Sequence, residues 1–419
     1  MSAPTHAYLA ARLPVYDLAV TAVSAYASAA NALRESVGLA PQRTDLRPDR
    51  IAASFSGDKM FRANGAPADG FAELSGFFRT ADGWVRTHAN YPHHRARLLT
   101  AVGLPEDADR ERFVRRVADL SAADVEDRAA DAGAIAARVR TERDWAASEP
   151  GLAAATGDLV GMRIRSDYGT RRPSDAGAPL AGVRVLDLTR VIAGPVASRA
   201  LALLGADVLR IDPPRMPEIR WQHSGTGQGK RSTRLDLRDP DGLSTFRALL
   251  ADADILLTGY RPGSLEALIG RPGSTRPGLV HGRVCAWGRT GPWAGRRGFD
   301  SIVQAASGIA VIEGHDAPGA LPAQALDHAS GYLLAAGVVD ALVDARRDGA
   351  GRDVDVALAR TAAWLLDRPN RQQSPLPAQL PGPDTVVTHG EITASRPALA
   401  EFDDYPFPAR TWGADAPRW

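Results

Sequence analysis

The sequence predicts an α/β protein, in which a mostly parallel sheet carries helices on both faces and follows a smaller, mainly helical domain. Residues 179–212 hold two apolar, strand-like runs with a helix-period segment between them, which is the pattern of a βαβ unit. Strand and helix patterns go on alternating to about residue 367, as in parallel sheets. Residues 1 to about 165 are instead rich in alanine-containing, charge-laced segments at helical spacing.

The first domain is assigned to residues 1–168. A β-hairpin is predicted near 77–88, because apolar residues alternate on either side of a turn at Ala81, Asp82 and Gly83. The Pro- and Gly-rich residues 169–180 indicate a linker. The predicted helices of this domain are 18–36, 92–102, 110–120 and 125–141.

The α/β domain is assigned to residues 181–368. Its first unit has a strand at 183–188, a turn holding Gly194 and Pro195, a helix, and a second strand at 207–211. A helix N-terminus beside a strand end attracts phosphate, so a nucleotide-like ligand is expected. The G-x-G-x-x-G spacing of dinucleotide sites is missing, which disfavours NAD. A buried helix is predicted at 333–345, and the Pro-rich residues 369–419 are expected to pack over another domain or subunit.

Composition excludes several classes of function. The 50 basic and 49 acidic residues give a net charge of +1, so nucleic acid is not an expected partner. No apolar run approaches about 20 residues and no targeting segment opens the chain, so we expect a cytoplasmic protein without a membrane span. Cys285 is the only cysteine, which excludes an internal disulfide. It is expected to be a buried structural thiol.

Six sequence blocks, in order, resemble the class III CoA-transferase (CaiB/BaiF) family. The segment 77–88 and its surroundings resemble, more faintly, the small domain that follows the core in that family. Here that segment comes first, which indicates a permuted domain order or a duplicated ancestor. The six blocks are 179–212, G-K-R-S-T-R-L-D-L (229–237), A-D-I-L-L-T-G-Y-R-P-G (253–263), G-R-T-G-P-W (288–293), G-F-D-S-I-V-Q-A-A-S-G (298–308) and Q-A-L-D-H-A-S-G (324–331).

The resemblance implies a CoA-transferase with Asp327 as nucleophile. Asp327 would attack an acyl-CoA thioester to give an aspartyl anhydride, and then an aspartyl-CoA thioester. Backbone N–H groups at the helix start are expected to keep this carboxylate ionised, although an aspartate at a helix start is commonly just a cap. The expected partners are acyl-CoA, a carboxylic acid acceptor and a second copy of the chain in an intertwined homodimer. No permanently bound cofactor is expected, since CoA is a substrate.

The phosphates of CoA call for basic side chains and backbone N–H groups. Each basic residue taken alone is commonly a solvated surface charge, so only the cluster carries weight. The segment 224–232 does not match the phosphate loop of ATPases, because its glycines enclose three residues rather than four. The predicted CoA-binding residues are Arg190, Ala193, Gly194, Pro195, Lys230, Arg231, Arg261, Pro262 and Arg297.

Two other functions stay open. Racemases of α-methylacyl-CoA resemble the same blocks but carry a histidine at the position of Phe299, and a phenyl ring cannot accept a proton. Racemisation would therefore need His328 or a histidine from another segment. A catalytically lapsed CoA-binding homologue is the second alternative, because no glycine-rich run is present to stabilise an oxyanion.

The histidine cluster His88, His93 and His94 has no neighbouring Cys, Asp or Glu to complete a metal site. It is expected to cap a helix or line an acyl pocket.

Overall fold

The computed structural model describes residues 7–68, 70–170 and 177–419. The helices are α1 Val15–Ser36, α2 Pro48–Phe55, α3 Gly57–Met60, α4 Pro92–Ala101, α5 Arg110–Ala118, α6 Ala122–Asp131, α7 Glu142–Ala146, α8 Glu149–Ala155, α9 Ala193–Leu203, α10 Arg220–Thr226, α11 Pro240–Ala251, α12 Glu266–Ile269, α13 Pro272–Thr275, α14 Asp300–Ser307, α15 Ile309–Ile312, α16 Ala325–Asp348 and α17 Leu358–Leu366. The strands are β1 Arg62–Ala63, β2 Ala66–Pro67, β3 Phe77–Arg79, β4 Trp84–Thr87, β5 Ala136–Arg138, β6 Gly161–Tyr168, β7 Arg184–Leu188, β8 Asp207–Asp212, β9 Lys230–Arg234, β10 Ile255–Thr258, β11 Val280–Cys285, β12 Ala350–Ala357, β13 Val386–His389 and β14 Ile392–Ser395.

The main sheet has seven strands in the order β6-β12-β11-β10-β7-β8-β9. The six strands from β12 to β9 are parallel, and β6 pairs antiparallel to β12. Strands β8 and β9 are added to the sheet on one side of β7. The chain then returns to the other side of β7, where it adds β10, β11 and β12 in that order. The carboxyl ends of β7 and β10 therefore flank the point where ligands bind in sheets of this kind. The predicted α/β class and the β7–α9–β8 unit are confirmed.

Helix α16 is the central helix of the core. It packs against α1, α9, β11 and β12, and a Cβ atom at Gly282 would lie 2.7 Å from Val338, so β11 needs glycine to approach the helix. Among the described residues, α16 is the one helix long and apolar enough to span a membrane, but 94% of its apolar window is buried inside the protein. Burial in the core explains its composition.

The N-terminal residues do not form one separate domain. Helix α1 shares its hydrophobic core with α16, and β6, at 161–168, is an edge strand of the main sheet. Residues 70–138, called the lobe below, have a core of their own built around the sheet β3-β4-β5. The hairpin near 77–88 is confirmed, with Phe77 opposite Arg86.

Two other predicted segments differ from the structure. The helix predicted at 125–141 ends at Asp131, because Gly133 takes a φ of 62° and residues 136–138 then pair with β4. The C-terminal segment, for which the sequence predicted no strand, contains the hairpin β13–β14, which pairs with β1. Residues 171–176 of the predicted linker lie outside the described residues.

Candidate active site

A cavity of about 690 Å³ lies at the carboxyl ends of the parallel strands. Residues at or after the carboxyl ends of β7 to β12 form one wall, and lobe residues in and next to α4, together with Ile135 just before β5, form another. Its lining holds seven arginines but only two aspartates, Asp236 and Asp327. A cavity of this size with an excess of arginine is suited to a large anionic ligand.

The turn after β7 is held by a buried polar network. Asp187 accepts hydrogen bonds from the backbone N–H and hydroxyl of Thr189 (2.9 and 2.5 Å), from Ser198 (2.5 Å) and from the ammonium of Lys230 (3.2 Å). A Cβ atom at Gly194 would lie 2.1 Å from the Cβ of Thr189. Glycine is thus required where α9 folds back on the turn.

A second buried network joins the lobe to this turn. Tyr91 of the lobe donates its hydroxyl to Glu218 (2.5 Å), which also accepts the N–H of Val191 (3.1 Å) and a bond from Arg210 (3.0 Å). Arg210 and, next, Arg190 hold the pKa of Glu218 down at about 2 despite its burial. Val191 has a φ of 69°, which β-branched residues avoid. Glu218 therefore ties the lobe to a strained turn on the cavity wall.

Asp327 lies in the first turn of α16, is 6% exposed, and lines the cavity. Its backbone N–H donates to Oδ2 of Asp300 at 2.9 Å. Asp300 begins α14 and is fully buried, and its other oxygen accepts a hydrogen bond from the amide of Gln304. Two carboxyl groups thus share the junction of α14 and α16.

The surroundings of Asp327 oppose the expectation that helix N–H groups keep its carboxylate ionised. The N–H of residue 327 is bonded to Asp300 instead. Burial, and after it the negative charge of Asp300, raise the pKa of Asp327 well above its usual value. Burial also raises the pKa of Asp300, to about 6, although its hydrogen bonds lower it. The upward shift of the pKa is smaller for Asp300 than for Asp327, because hydrogen bonds from residue 327 and Gln304 favour the charged form of Asp300.

Aromatic side chains of the lobe surround Phe299, the residue before Asp300. His88 stacks on Phe299 with ring centroids 3.9 Å apart, and the ring of His94 is 5.9 Å from it. His328 contacts Phe55 and lies outside the cavity lining. Burial lowers the pKa of His88, His94 and His328 to about 3.

Six of the nine predicted CoA-binding residues line the cavity: Arg190, Ala193, Gly194, Arg261, Pro262 and Arg297. The other three do not. Lys230 is buried against Asp187, and Pro195 is buried within α9. Arg231 pairs with Asp207 at 2.8 Å and with the carbonyl of Arg418. The sequence shows the type of each of these three residues, but it does not show which groups they contact in the fold.

Four arginines of the lining were not predicted from the sequence: Arg97, Arg215, Arg238 and Arg296. Arg97 comes from the lobe, so only the tertiary fold brings it to the cavity. Arg215 and Arg296 have carboxylate neighbours, Asp236 at 3.4 Å and Asp127 at 4.0 Å. Within the described part of the chain, Arg97, Arg238, Arg261 and Arg297 have no carboxylate within 4.0 Å. Arg97, Arg261 and Arg297 donate hydrogen bonds to backbone carbonyls, which do not neutralise their charge. These four positive charges are therefore the ones best placed to meet an anionic ligand.

Two further groups were singled out from the sequence. Cys285, the last residue of β11, lines the cavity, but burial raises the pKa of its thiol to about 11, which disfavours a nucleophilic thiolate. Within residues 7–68, 70–170 and 177–419, no three or more His, Cys, Asp or Glu side chains form a group suited to a metal.

Comparison with known proteins identifies the α/β core. The sequence profile of CoA-transferase family III matches residues 180–386. A probable fatty acyl-CoA transferase of Mycobacterium tuberculosis is 32% identical over 252 residues, covering 54% of this chain and 64% of that protein. The succinyl-CoA–L-malate CoA-transferase alpha subunit of Chloroflexus aurantiacus is 33% identical over 210 residues, covering 45% and 49%.

A solved structure of a CaiB/BaiF family protein from Brucella suis is 26% identical, with a TM-score of 0.43 over 45% of this chain and 56% of that one. The chain thus spans roughly half to two thirds of the length of these relatives. The α/β core at residues 180–386, which contains β7 to β12 and Asp327, belongs to CoA-transferase family III.

Proposed function

We propose that this protein transfers CoA between carboxylic acids and that Asp327 is its nucleophile. The observation that carries the proposal is that Asp327 is exposed to a cavity whose lining also holds Arg97, Arg238, Arg261 and Arg297, for which the described residues provide no carboxylate partner. Such a cavity can hold the phosphates of CoA and present the thioester to a carboxylate. The names of the curated relatives support the same chemistry.

The proposed reaction proceeds in two covalent stages. An oxygen of Asp327 attacks the thioester carbonyl carbon, the C–S bond breaks, and an aspartyl anhydride and CoA thiolate form. The thiolate then attacks the aspartyl carbonyl, releasing the donor acid and leaving an aspartyl-CoA thioester. The acceptor carboxylate reverses these steps and leaves as its CoA thioester.

Attack requires Asp327 in its ionised form, and Asp300 opposes this. We expect kcat/KM to rise with pH until Asp327 is deprotonated. Asp300→Asn removes the neighbouring charge but keeps an oxygen that can accept the N–H of residue 327. The acidic limb of the kcat/KM profile should therefore move to lower pH in this variant. A profile that is unchanged or moves to higher pH would show that Asp300 does not set the ionisation of the nucleophile.

Removing an arginine of the cavity whose charge no carboxylate among the described residues offsets should weaken the binding of CoA. We expect Arg261→Gln and Arg297→Gln each to raise the Kd of CoA about 3- to 10-fold, because each loses a charged partner for phosphate. The effect should shrink at high ionic strength. Isothermal titration calorimetry measures this, with Arg247→Gln on the exposed side of α11 as control. Equal affinities for all three variants would place the phosphates elsewhere.

Intact-mass spectrometry tests the proposed function directly. The protein is mixed with a panel of thioesters that includes succinyl-CoA and long-chain acyl-CoA. We expect a mass increase of one acyl or one CoA unit, mapped to Asp327 and released by hydroxylamine. Binding of CoA without any adduct across the panel would contradict the transferase proposal and favour a catalytically lapsed CoA-binding protein.

Racemisation of an acyl-CoA is the second candidate, because His88 and His94 place imidazole rings beside Phe299. Exchange of the α-proton of a 2-methylacyl-CoA in deuterium oxide, with no CoA transfer, would support racemisation.

We also propose a cytoplasmic homodimer with no permanently bound cofactor. The lone cysteine and the family resemblance support this part, and light scattering measures the oligomeric state.

A further inference from the structure

His94 is a buried side chain of the lobe that lines the cavity. It is the third residue of α4 and is 7% exposed. Its Nδ1 atom is enclosed and has no hydrogen-bond partner among the residues that the structure describes. The ring nevertheless belongs to the cavity lining, together with Asp327 and Phe299. Because Nδ1 is enclosed by protein, Nε2 is the nitrogen left to meet a ligand.

Contacts through Phe299 connect this imidazole to the proposed nucleophile. The rings of His94 and Phe299 have centroids 5.9 Å apart. Phe299 immediately precedes Asp300, whose carboxylate accepts the backbone N–H of Asp327 at 2.9 Å. The imidazole and the nucleophile are thus both next to the start of α14 and share one cavity.

The environment of His94 keeps the imidazole neutral. Burial, followed by His93, His88, Arg297 and Arg97, lowers the pKa of His94 to about 3. A neutral imidazole still carries one N–H donor. It can stabilise developing negative charge without transferring a proton, as a neutral histidine does in triosephosphate isomerase.

We propose that Nε2–H of His94 donates a hydrogen bond to the thioester carbonyl oxygen while Asp327 attacks, which rests on the proposed transferase function. In this step an oxygen of Asp327 bonds to the carbonyl carbon and the π electrons move to the carbonyl oxygen. The oxyanion then collapses, the C–S bond breaks, and CoA leaves as the thiolate. His94 keeps its proton throughout.

This chain needs such a donor from a side chain or from helix N–H groups. It contains no run of three glycines that could form a flexible loop of backbone donors over the cavity. Donors aimed at a developing oxyanion are typically worth about 10²- to 10³-fold in rate. The lobe would thereby supply part of the catalytic site, beyond closing it.

Three variants test the proposal: His94→Leu, which removes the donor at similar size, His94→Gln, whose amide can donate from a position near Nε2, and His315→Leu on the surface. His315 has an 83% exposed side chain. We expect His94→Leu to lower kcat by about 10²- to 10³-fold with little change in the Kd of CoA. His94→Gln should keep activity within about tenfold of the wild type, and His315→Leu should match it.

Equal activity of His94→Leu and wild type would overturn the role of His94 while leaving the transferase function intact. An equal loss of kcat in the leucine and glutamine variants, both with normal CoA affinity and melting temperature, would also overturn it. In that case an amide N–H donor at this position would not restore the rate. Absence of acyl transfer in the wild type, despite CoA binding, would instead contradict the proposed function itself.

Discussion

Replacing Asp327 with asparagine is expected to lower the rate of CoA transfer by about 10³- to 10⁶-fold, the range seen when enzymes lose a nucleophile. The amide has the same shape as the carboxyl group but cannot form an anhydride with an acyl group. The backbone N–H of residue 327 can still donate to Asp300, so α16 should begin as it does in the wild type. Intact-mass spectrometry should show no acyl or CoA adduct on the variant.

The same variant should be at least as stable as the wild type above neutral pH. The raised pKa of Asp327 means that the folded state disfavours its charged form. The contribution of protonated Asp327 to the free energy of unfolding is therefore complete below the pKa of this residue in the unfolded chain. It is lost as the pH rises through the pKa of this residue in the folded protein. We expect the melting temperature of Asp327→Asn to exceed that of the wild type at pH 8 by more than at pH 5.

The exposed Asp316, with 96% of its side chain accessible, offers a matched control in Asp316→Asn. That variant should match the wild type both in rate and in melting temperature. Transfer by Asp327→Asn within tenfold of the wild-type rate would mean that another group attacks the thioester.

Local patterns in the sequence were enough to predict the turn after β7, whereas Asp327 was singled out by the resemblance of its block to the CoA-transferase family. The strand, the turn with Gly194 and the helix lie within 20 residues, so their periodicity and glycine requirement can be read without tertiary information. The same is true of the hairpin near 77–88, whose strands pair across a short turn. The fold class followed from the alternation of such units.

The partners of the site residues could not be predicted, because they come from distant segments. Asp300 sits 27 positions before Asp327, and only the packing of α14 on α16 joins their carboxyl and N–H groups. From the sequence Lys230 was predicted to bind phosphate. In the structure it is paired with Asp187, which lies 43 positions away in the chain. His94 and Arg97 reach the cavity through the docking of a lobe with its own core.

Helix propensity misassigned one segment for a related reason. Residues 136–138 contain two alanines and an arginine, all good helix formers. The structure uses them as β5, because Val85, Arg86 and Thr87 of β4 offer them antiparallel partners. Pairing with a neighbouring strand outweighed a local preference worth a few tenths of a kcal/mol per residue.

Arg210→Met is expected to lower the free energy of unfolding by about 3–5 kcal/mol, as breaking a buried ion pair does. Arg210 is fully buried in β8 and binds Asp212 at 2.8 and 3.0 Å and Glu218 at 3.0 Å. Methionine replaces the aliphatic stem of Arg210 but leaves Asp212 without a cationic partner among the described residues and Glu218 with Arg190 as its one cationic partner there. Urea unfolding measures the loss, with the exposed Arg247→Met as control.

The loss should extend from stability to ligand binding, because Glu218 holds both the N–H of Val191 and the hydroxyl of Tyr91. Glu218 anchors both the strained turn on the cavity wall and the lobe, and without Arg210 it is held less firmly. The Kd of CoA should therefore rise as well. The contribution of Glu218 is present above its ordinary pKa of 4.5 and disappears as pH falls toward about 2. The difference between variant and wild type should therefore be largest at neutral pH and shrink in acid. A difference below about 1 kcal/mol at pH 7, near the value of a surface ion pair, would mean that hydrophobic packing alone positions the turn and that the charges merely satisfy one another.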